Sequence, residues 1–221
     1  PAKGHPVQLL LDQLDRAQRY KLLTALVVPR PIALVTSLGP DGVTNAAPYS
    51  FFNLFSQDPA LVVLGIERRE GPVQKDTGRN IEATGEFVVN LVDEDLAERL
   101  NICAVDFPPE ISEVEMAGLT LAPSATVRPG RLAEAPAALE CTKLVTLLPG
   151  GGRELVVGRI GAIQVRDGLL DPATLRLDLE RWRPVGRLFG NLYCRTRDRF
   201  ELVRRTYRQW LADREGRGGQ G

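Results

Sequence analysis

The chain has 221 residues, enough for one domain with a sizeable core, and its 28 Lys plus Arg balance its 28 Asp plus Glu. That balance removes any bulk electrostatic case for nucleic acid or an anionic membrane surface as a partner. No apolar run nears the roughly 20 residues that span a bilayer, and no charged-then-apolar leader opens the sequence; three scattered cysteines, read as reduced thiols, make a cytoplasmic protein the expectation.

The segment Pro6–Leu26 carries Leu9, Leu10, Leu14, Ala17 and Leu22 at helical spacing and predicts an N-terminal helical arm over residues 1–26. A β-rich domain over 27–198 follows. Its first strand covers Ile32–Thr36, and Gly39-Pro40-Asp41-Gly42 is a turn signal. Ala60–Ile66 reads as a third strand, apolar enough to be buried on both faces. Asp76–Gly85 reads as a short helix capped by Asp76 or Thr77 and ended by Gly85. Glu86–Val92 is another strand, and Asp93 caps a helix over Glu94–Ile102. The stretch Asp106–Pro123 is loop-like, with an acidic helical piece around Ser112–Ala117. Ala138–Leu148 and Glu154–Arg166 flank the Pro149-Gly150-Gly151-Gly152 turn and form a hairpin. A basic helix over Arg199–Arg214 and a disordered Gly- and Arg-rich end complete residues 199–221. Six or more strands in hairpins, broken by short helices, predict a mainly β fold with flanking α: a closed antiparallel barrel. No GxGxxG joins a strand to a helix, so a Rossmann cofactor site is not expected.

Two inventories limit the chemistry. Cys103, Cys141 and Cys194 are the three cysteines; they form no CxxC pair and have no histidine companion, which argues against a zinc site or a disulfide framework. The single histidine, His5, precedes the first helix. A Ser-His-Asp triad, a Cys-His pair or a histidine-ligated metal would each have to depend on it. Chemistry brought by a bound cofactor is therefore expected.

Four stretches are candidates for holding such a cofactor. Asn45 to Asn53 combines hydrogen-bonding groups (Asn45, Ser50, Asn53), flat rings (Tyr49, Phe51, Phe52) and small or rigid residues (Ala46, Ala47, Pro48). It is either a strand filling a barrel core or a shelf for a phosphorylated planar ligand. Lys75-Asp76-Thr77 is explained by helix capping and solvation, or by an anion site where helix N–H groups, a hydroxyl and an ammonium converge. Between Pro29 and Pro31, Arg30 is held in a fixed direction, for a salt bridge or for a phosphate or ring. Arg187–Tyr193 is either a strand end or a cofactor edge.

The blocks PRPIALVTS, DGVTNAAPYSFFN, KDTGRNIEATGEFVVNLV, AGLTLAPS, ALEC and RPVGRLFGNLY occur in that order from about Tyr20 to Tyr193. Together they resemble the flavin reductase-like, FMN-binding split-barrel proteins, in particular their flavoredoxin-type branch. The resemblance implies a six-stranded antiparallel split barrel, a homodimer, and FMN near the subunit interface. By position it places the flavin phosphate around Arg30, Thr36 with its neighbour Ser37, Ser50 and the Lys75-Asp76-Thr77 turn. It places the isoalloxazine against Asn45, Ala46, Ala47 and Pro48 and the Tyr49-Ser50-Phe51-Phe52 segment, with backbone N–H groups at the ring's pyrimidine edge. Gly190–Tyr193 would close the other side. The implied activity is electron transfer from NADH or NADPH through FMN to oxygen, free flavin or a partner protein. A non-catalytic FMN-binding electron carrier is the alternative, and a haem- or pyridoxine-phosphate-handling relative on the same barrel is more distant.

Overall fold

In the computed structural model, residues 7–69 and 73–218 are described. The turn at Gly39–Gly42 closes a hairpin of β1 (Ala33–Leu38) and β2 (Thr44–Tyr49), with the Asp41 carboxylate accepting from the Val43 N–H at 3.1 Å. A second hairpin, β3 (Phe52–Gln57) and β4 (Ala60–Glu67), turns at Asp58-Pro59. After β5 (Glu86–Leu91) and a two-residue ribbon of β6 (Leu121–Ala122) with β7 (Arg131–Leu132), the long hairpin β8 (Ala137–Gly150) and β9 (Arg153–Val165) completes the main sheet. Two short ribbons follow, β10 (Leu170–Asp171) with β11 (Arg176–Leu177) and β12 (Val185–Arg187) with β13 (Tyr193–Arg195).

The main sheet is antiparallel and ordered β2-β1-β5-β8-β9-β4-β3. It has seven strands where six were implied, because β3 is a strand of its own. Asn53, Ser56 and Gln57 interrupt its apolar pattern, and the exposed Leu54 and Phe55 give it no buried face to read. The two terminal strands, β2 and β3, follow one another in sequence across Ser50-Phe51, yet no ladder joins them. A single bond from the Gly65 N–H to the Phe51 carbonyl, 2.7 Å, bridges that corner. This is the split in the barrel.

Strand alternation divides the apolar residues between two cores. Ala33 and Val35 point inward with Tyr49, Val62, Leu64, Phe87, Val89 and Val156. Ile32 and Leu34 point outward and are covered by Leu96, Leu100, Cys103, Val114 and Leu132. A strand buried on both faces reads as an unbroken apolar run, as β1 does. Gly158 in β9 exists for close packing: a Cβ there would lie 2.4 Å from the ring of Phe87.

The helices depart from expectation at their starts. α1 covers Arg16–Leu26, opened by a reciprocal capping box between Asp15 and Gln18, and only a single turn at Leu11–Gln13 precedes it. Pro6 and His5 lie outside the described residues. α2 covers Asp76–Thr84 and ends at Gly85 in the left-handed conformation, φ 71°. Its N-cap is Lys75, without a side-chain cap, and Asp76 is the first helical residue. Asp93 caps the single turn Glu94–Leu96 that leads into α3 (Ala97–Ile102), as expected. α4 is the four-residue helix Glu113–Met116. α5 covers Tyr207–Gly218 and starts eight residues late, because Thr206 and Gln209 bond one another's backbone N–H groups there. The end of the Gly- and Arg-rich tail, 219–221, lies outside the described residues.

Candidate functional site

Residues on β1 and β2 are sorted by parity. Ser37 pairs with Asn45, and both face α2: Asn45 Nδ2 donates to Thr77 Oγ1 at 2.8 Å, and Asn80 Nδ2 donates to Ser37 Oγ at 3.3 Å. Thr36 pairs with Ala46, and both face the outer layer. The Thr36 hydroxyl donates to the Gly130 carbonyl at 2.6 Å and accepts from Asn90 Nδ2 at 3.2 Å. Thr36 is fully buried and does not reach the α2 start.

The outer edge of β2 is almost filled. The Ala46 N–H donates to Glu113 Oε2 at 2.9 Å, and the Thr44 carbonyl accepts from Ser112 Oγ at 2.6 Å, so the start of α4 covers the strand's first half. Burial pushes the Glu113 carboxyl up, against the pull of the Ala46 N–H. Residues of the same parity share that edge, so Pro48, with no N–H, comes next. The N–H groups of Asn45, Ala47 and Tyr49 point to β1 instead. No backbone donor is therefore left between Asn45 and Tyr49, which narrows the expected contact with a ring's pyrimidine edge to the later part of the Asn45–Phe52 stretch. The first N–H of the right parity beyond them belongs to Ser50.

Two clefts meet on this strand. One, of about 280 Å³, is lined by Asn45, Ala47, Pro48, Tyr49, Arg69, Lys75, Asp76 and Thr77, with Cys103, Ala104 and Glu113 opposite. The other, of about 550 Å³, is lined by Tyr20, Ile32, Pro48, Tyr49, Ser50, Ala104, Arg187, Asn191 and Tyr193. Pro48, Tyr49 and Ala104 line both, so the clefts form one trough with two ends.

The smaller end is polar and incompletely satisfied. The α2 start offers first-turn N–H groups with no side-chain cap. Lys75 makes no ion pair among the described residues. Arg69 reaches Asp76 at 3.1 Å and Asp106 at 2.9 Å through one terminal nitrogen, while its buried Nε has no partner. The Tyr49 hydroxyl is also buried without a hydrogen bond of good geometry, although the Thr77 side chain lies close enough to act on it. Burial pushes its phenol well above the ordinary value, so it stays protonated and able to donate. Buried donors without acceptors are uncommon in folded proteins and mark a place for one. Glu154 holds this wall in place from β9 by accepting from Arg68 Nε (2.6 Å) and Gln74 Nε2 (2.9 Å), on either side of the segment that leads to Lys75. Arg69 and Tyr49's hydroxyl carry no sequence signal as a pair; they meet only through the sheet.

Arg30 lies elsewhere than expected. It is buried, and its guanidinium donates to the carbonyls of Thr24 (2.7 Å), Val27 (2.9 Å) and Leu188 (2.8 Å), and through Nε to Ser50 Oγ (3.3 Å). Among the described residues it meets no carboxylate, and it lines neither of the two clefts. It fastens the end of α1, the barrel corner and the late loop together, and it leaves the Ser50 O–H free to donate into the larger cleft. Phe51 and Phe52 are also not on the trough: Phe51 faces α1, where Tyr20 and Arg153 pack on it, and Phe52 packs toward the inner core. Asn191 and Tyr193 do line the larger end, with the Arg187 guanidinium 4.4 Å over the Tyr193 ring; Gly190 does not. Among the described residues no group of His, Cys, Asp and Glu is placed to hold a metal ion.

Residues 25–203 match the family model "Flavin reductase like domain". The solved structure of 2-nitrobenzoate 2-nitroreductase NbaA from Pseudomonas fluorescens is 42% identical, with a TM-score of 0.84, over 91% of this chain and 98% of that one. Nitrilotriacetate monooxygenase component B from Bacillus cereus is 34% identical, with a TM-score of 0.86, over 90% of this chain and 100% of that one. A Shewanella frigidimarina protein with a split barrel domain shares the fold at 21% identity and a TM-score of 0.74, over 89% and 96% of the two chains. With its open β2–β3 corner and the trough along β2, this chain belongs to the flavin reductase-like family and has its split-barrel fold.

Proposed function

We propose that the chain is an FMN-dependent oxidoreductase supplied with electrons by NADH or NADPH. The observation that carries this reading is the two-ended trough on β2, polar and missing acceptors at the α2 end, wider and partly aromatic at the other. FMN has a phosphate and a flat ring system, and the unpartnered Arg69 Nε and Tyr49 hydroxyl fit the former. When bound, FMN would supply the two-electron chemistry that no side chain here provides.

The residues have separable tasks in this reading. Lys75, Arg69 and the N–H groups that open α2 bind the phosphate, with the Thr77 hydroxyl fixed by Asn45. Pro48 and Ala47 allow the ring to lie against the strand. The Ser50 hydroxyl and N–H orient its polar edge, and Arg30 orients Ser50. Tyr193 and Asn191 exclude water from the wider end. The chain works as a homodimer: β3 and the β8 end present exposed Leu54, Phe55, Leu147 and Leu148, and size-exclusion chromatography with light scattering checks the subunit number.

Purified protein with a flavin visible spectrum, or apoprotein that quenches FMN fluorescence on titration, supports the reading; absence of both sinks it. Steady-state oxidation of NADH and NADPH with added FMN separates an enzyme from an electron carrier, since a carrier shows negligible turnover with either. The 42%-identical nitroreductase supports a second reading of the acceptor, in which electrons pass to a nitroaromatic compound rather than to free flavin. Consumption of a nitroaromatic by the FMN-loaded protein under anaerobic conditions distinguishes the two.

A further inference from the structure

A third cleft, of about 660 Å³, lies between α1 and the barrel corner and takes no part in the site above except through Tyr20, which lines both it and the wide end of the trough. Its floor is apolar and aromatic. Phe51 and Tyr20 pack as a tilted pair, ring centres 6.3 Å apart at 59°, and Leu23 extends the surface along α1. Its rim is cationic. The Arg153 guanidinium lies 4.8 Å over the Phe51 ring, a cation–π contact. Glu67 is the one carboxylate among the described lining residues, and Arg16 takes it in a close ion pair. Arg153 stands 3.9 Å from the other Glu67 oxygen, beyond hydrogen-bond reach. A planar guanidinium above an aromatic floor thus has Glu67 as an ion-pair neighbour but no hydrogen-bonded acceptor among the described residues.

We propose that this cleft binds an aromatic monocarboxylate, with its ring against Phe51 and Tyr20 and its carboxylate on Arg153. Arginine's planar fork matches a carboxylate's two oxygens, and the apolar floor removes the ring from water. A phosphate ester is a poorer fit, because at the adjacent α1 start the Asp15 carboxylate already takes the Gln18 N–H and sets a negative charge where the phosphate would sit. The ligand would touch Tyr20, and through it lie beside the flavin's end of the trough, so its role as a reaction partner rests on the function proposed above; its binding does not.

The test is calorimetric titration of sodium benzoate into the full chain, with benzamide as the uncharged analogue and sodium phosphate as a simple anion. Benzoate is expected to bind at millimolar concentration or tighter, benzamide at least tenfold more weakly, and phosphate not to compete. Arg153→Gln should weaken benzoate at least tenfold. Arg153→Lys, which keeps the charge and stem over Phe51 but loses the fork, should weaken it at least threefold and covers the case in which the first variant does not fold. Absence of benzoate binding, equal binding of benzamide, full competition by phosphate, or undiminished binding in a folded variant overturns the proposal. FMN titrated into the same samples separates the two claims. Benzoate binding without FMN binding sinks the flavin reading and leaves this site standing, whereas FMN binding without benzoate binding sinks the site alone.

Discussion

Asn45 and Thr77 are joined side chain to side chain, amide to hydroxyl, at 2.8 Å inside the protein. The bond ties an edge strand to the first turn of the helix that closes the smaller end of the trough. Asn45→Ala leaves the Thr77 hydroxyl without this donor and frees the helix start from β2. The variant is expected to lose about 1–2 kcal/mol of stability, with FMN affinity falling about tenfold. Urea unfolding and flavin fluorescence measure the two. Unchanged FMN affinity in a folded variant argues against a phosphate at this helix start.

Lys75 and Arg69 are assigned to a phosphate, so their removal should distinguish FMN from riboflavin. A charge-assisted hydrogen bond contributes about 1.5–3 kcal/mol, which is about tenfold to a hundredfold in affinity. Lys75→Ala is expected to weaken FMN by that factor and leave riboflavin unchanged. Equal loss for both ligands would move the phosphate elsewhere.

Arg30 gives the opposite pattern. Its guanidinium is used by three carbonyls and Ser50, so Arg30→Ala leaves several acceptors poorly satisfied. A loss of about 2–4 kcal/mol is expected, with the ratio of FMN to riboflavin affinity unchanged. A selective loss of FMN binding would restore Arg30 to the phosphate.

Glu140 supplies a pH dependence. It is fully buried in β8, which by itself raises a carboxyl, but bonds from the Ala125 N–H and from the N–H and hydroxyl of Thr126 outweigh burial and hold it below the ordinary value. A depressed folded-state value means that the unfolded chain takes up the proton first. The stabilisation is therefore complete above the unfolded glutamate value, about 4.3, and is lost as pH falls through the lower folded value. Urea midpoints for wild type and Glu140→Gln should differ at pH 7 and converge on acidification below about pH 4.3. A gap that widens in acid contradicts the assignment.

The thiols should divide two against one. Burial pushes Cys103 and Cys141 up to about 12, so both stay protonated at neutral pH. Cys194 is only partly buried. A thiol-specific disulfide reagent is expected to label one cysteine in the folded chain and all three in denaturant. Rapid labelling of Cys103, which lines the smaller cleft, would mean that this wall opens.

Much of the barrel was legible because strand signals are local. The β1 run, the Gly39–Gly42 turn, the β8–β9 hairpin and Gly85 after α2 each depend on residues adjacent in the chain, and each lies where its pattern predicts. β3 escaped because an exposed edge strand need not alternate. The starts of α1 and α5 were misjudged because reciprocal side-chain caps at Asp15–Gln18 and Thr206–Gln209 outweigh apolar spacing.

The expected phosphate residues came from the resemblance, and the folded sheet separates several of them in space. Thr36 and Ser37 are neighbours, but a strand turns successive side chains to opposite faces, so only Ser37 meets α2. Arg30 gives its guanidinium to the nearby carbonyls of Thr24 and Val27 and to the distant carbonyl of Leu188, an arrangement that its flanking prolines do not state.

From its residues alone the chain pointed to a β-rich domain, to the family to which it belongs, and to the expectation of chemistry supplied by a bound group, since histidine is confined to position 5. The first and last of these follow from composition and local pattern, which any stretch of chain carries with it; the family follows from the resemblance of the ordered blocks between Tyr20 and Tyr193. Only the folded sheet decided which polar atoms lack partners. Tyr49 and Arg69 are 20 residues apart and become a pair of unsatisfied donors only when β2 and the end of β4 line the same cleft. Hydrogen-bond satisfaction is a property of what surrounds an atom in space, and no order of residues states it.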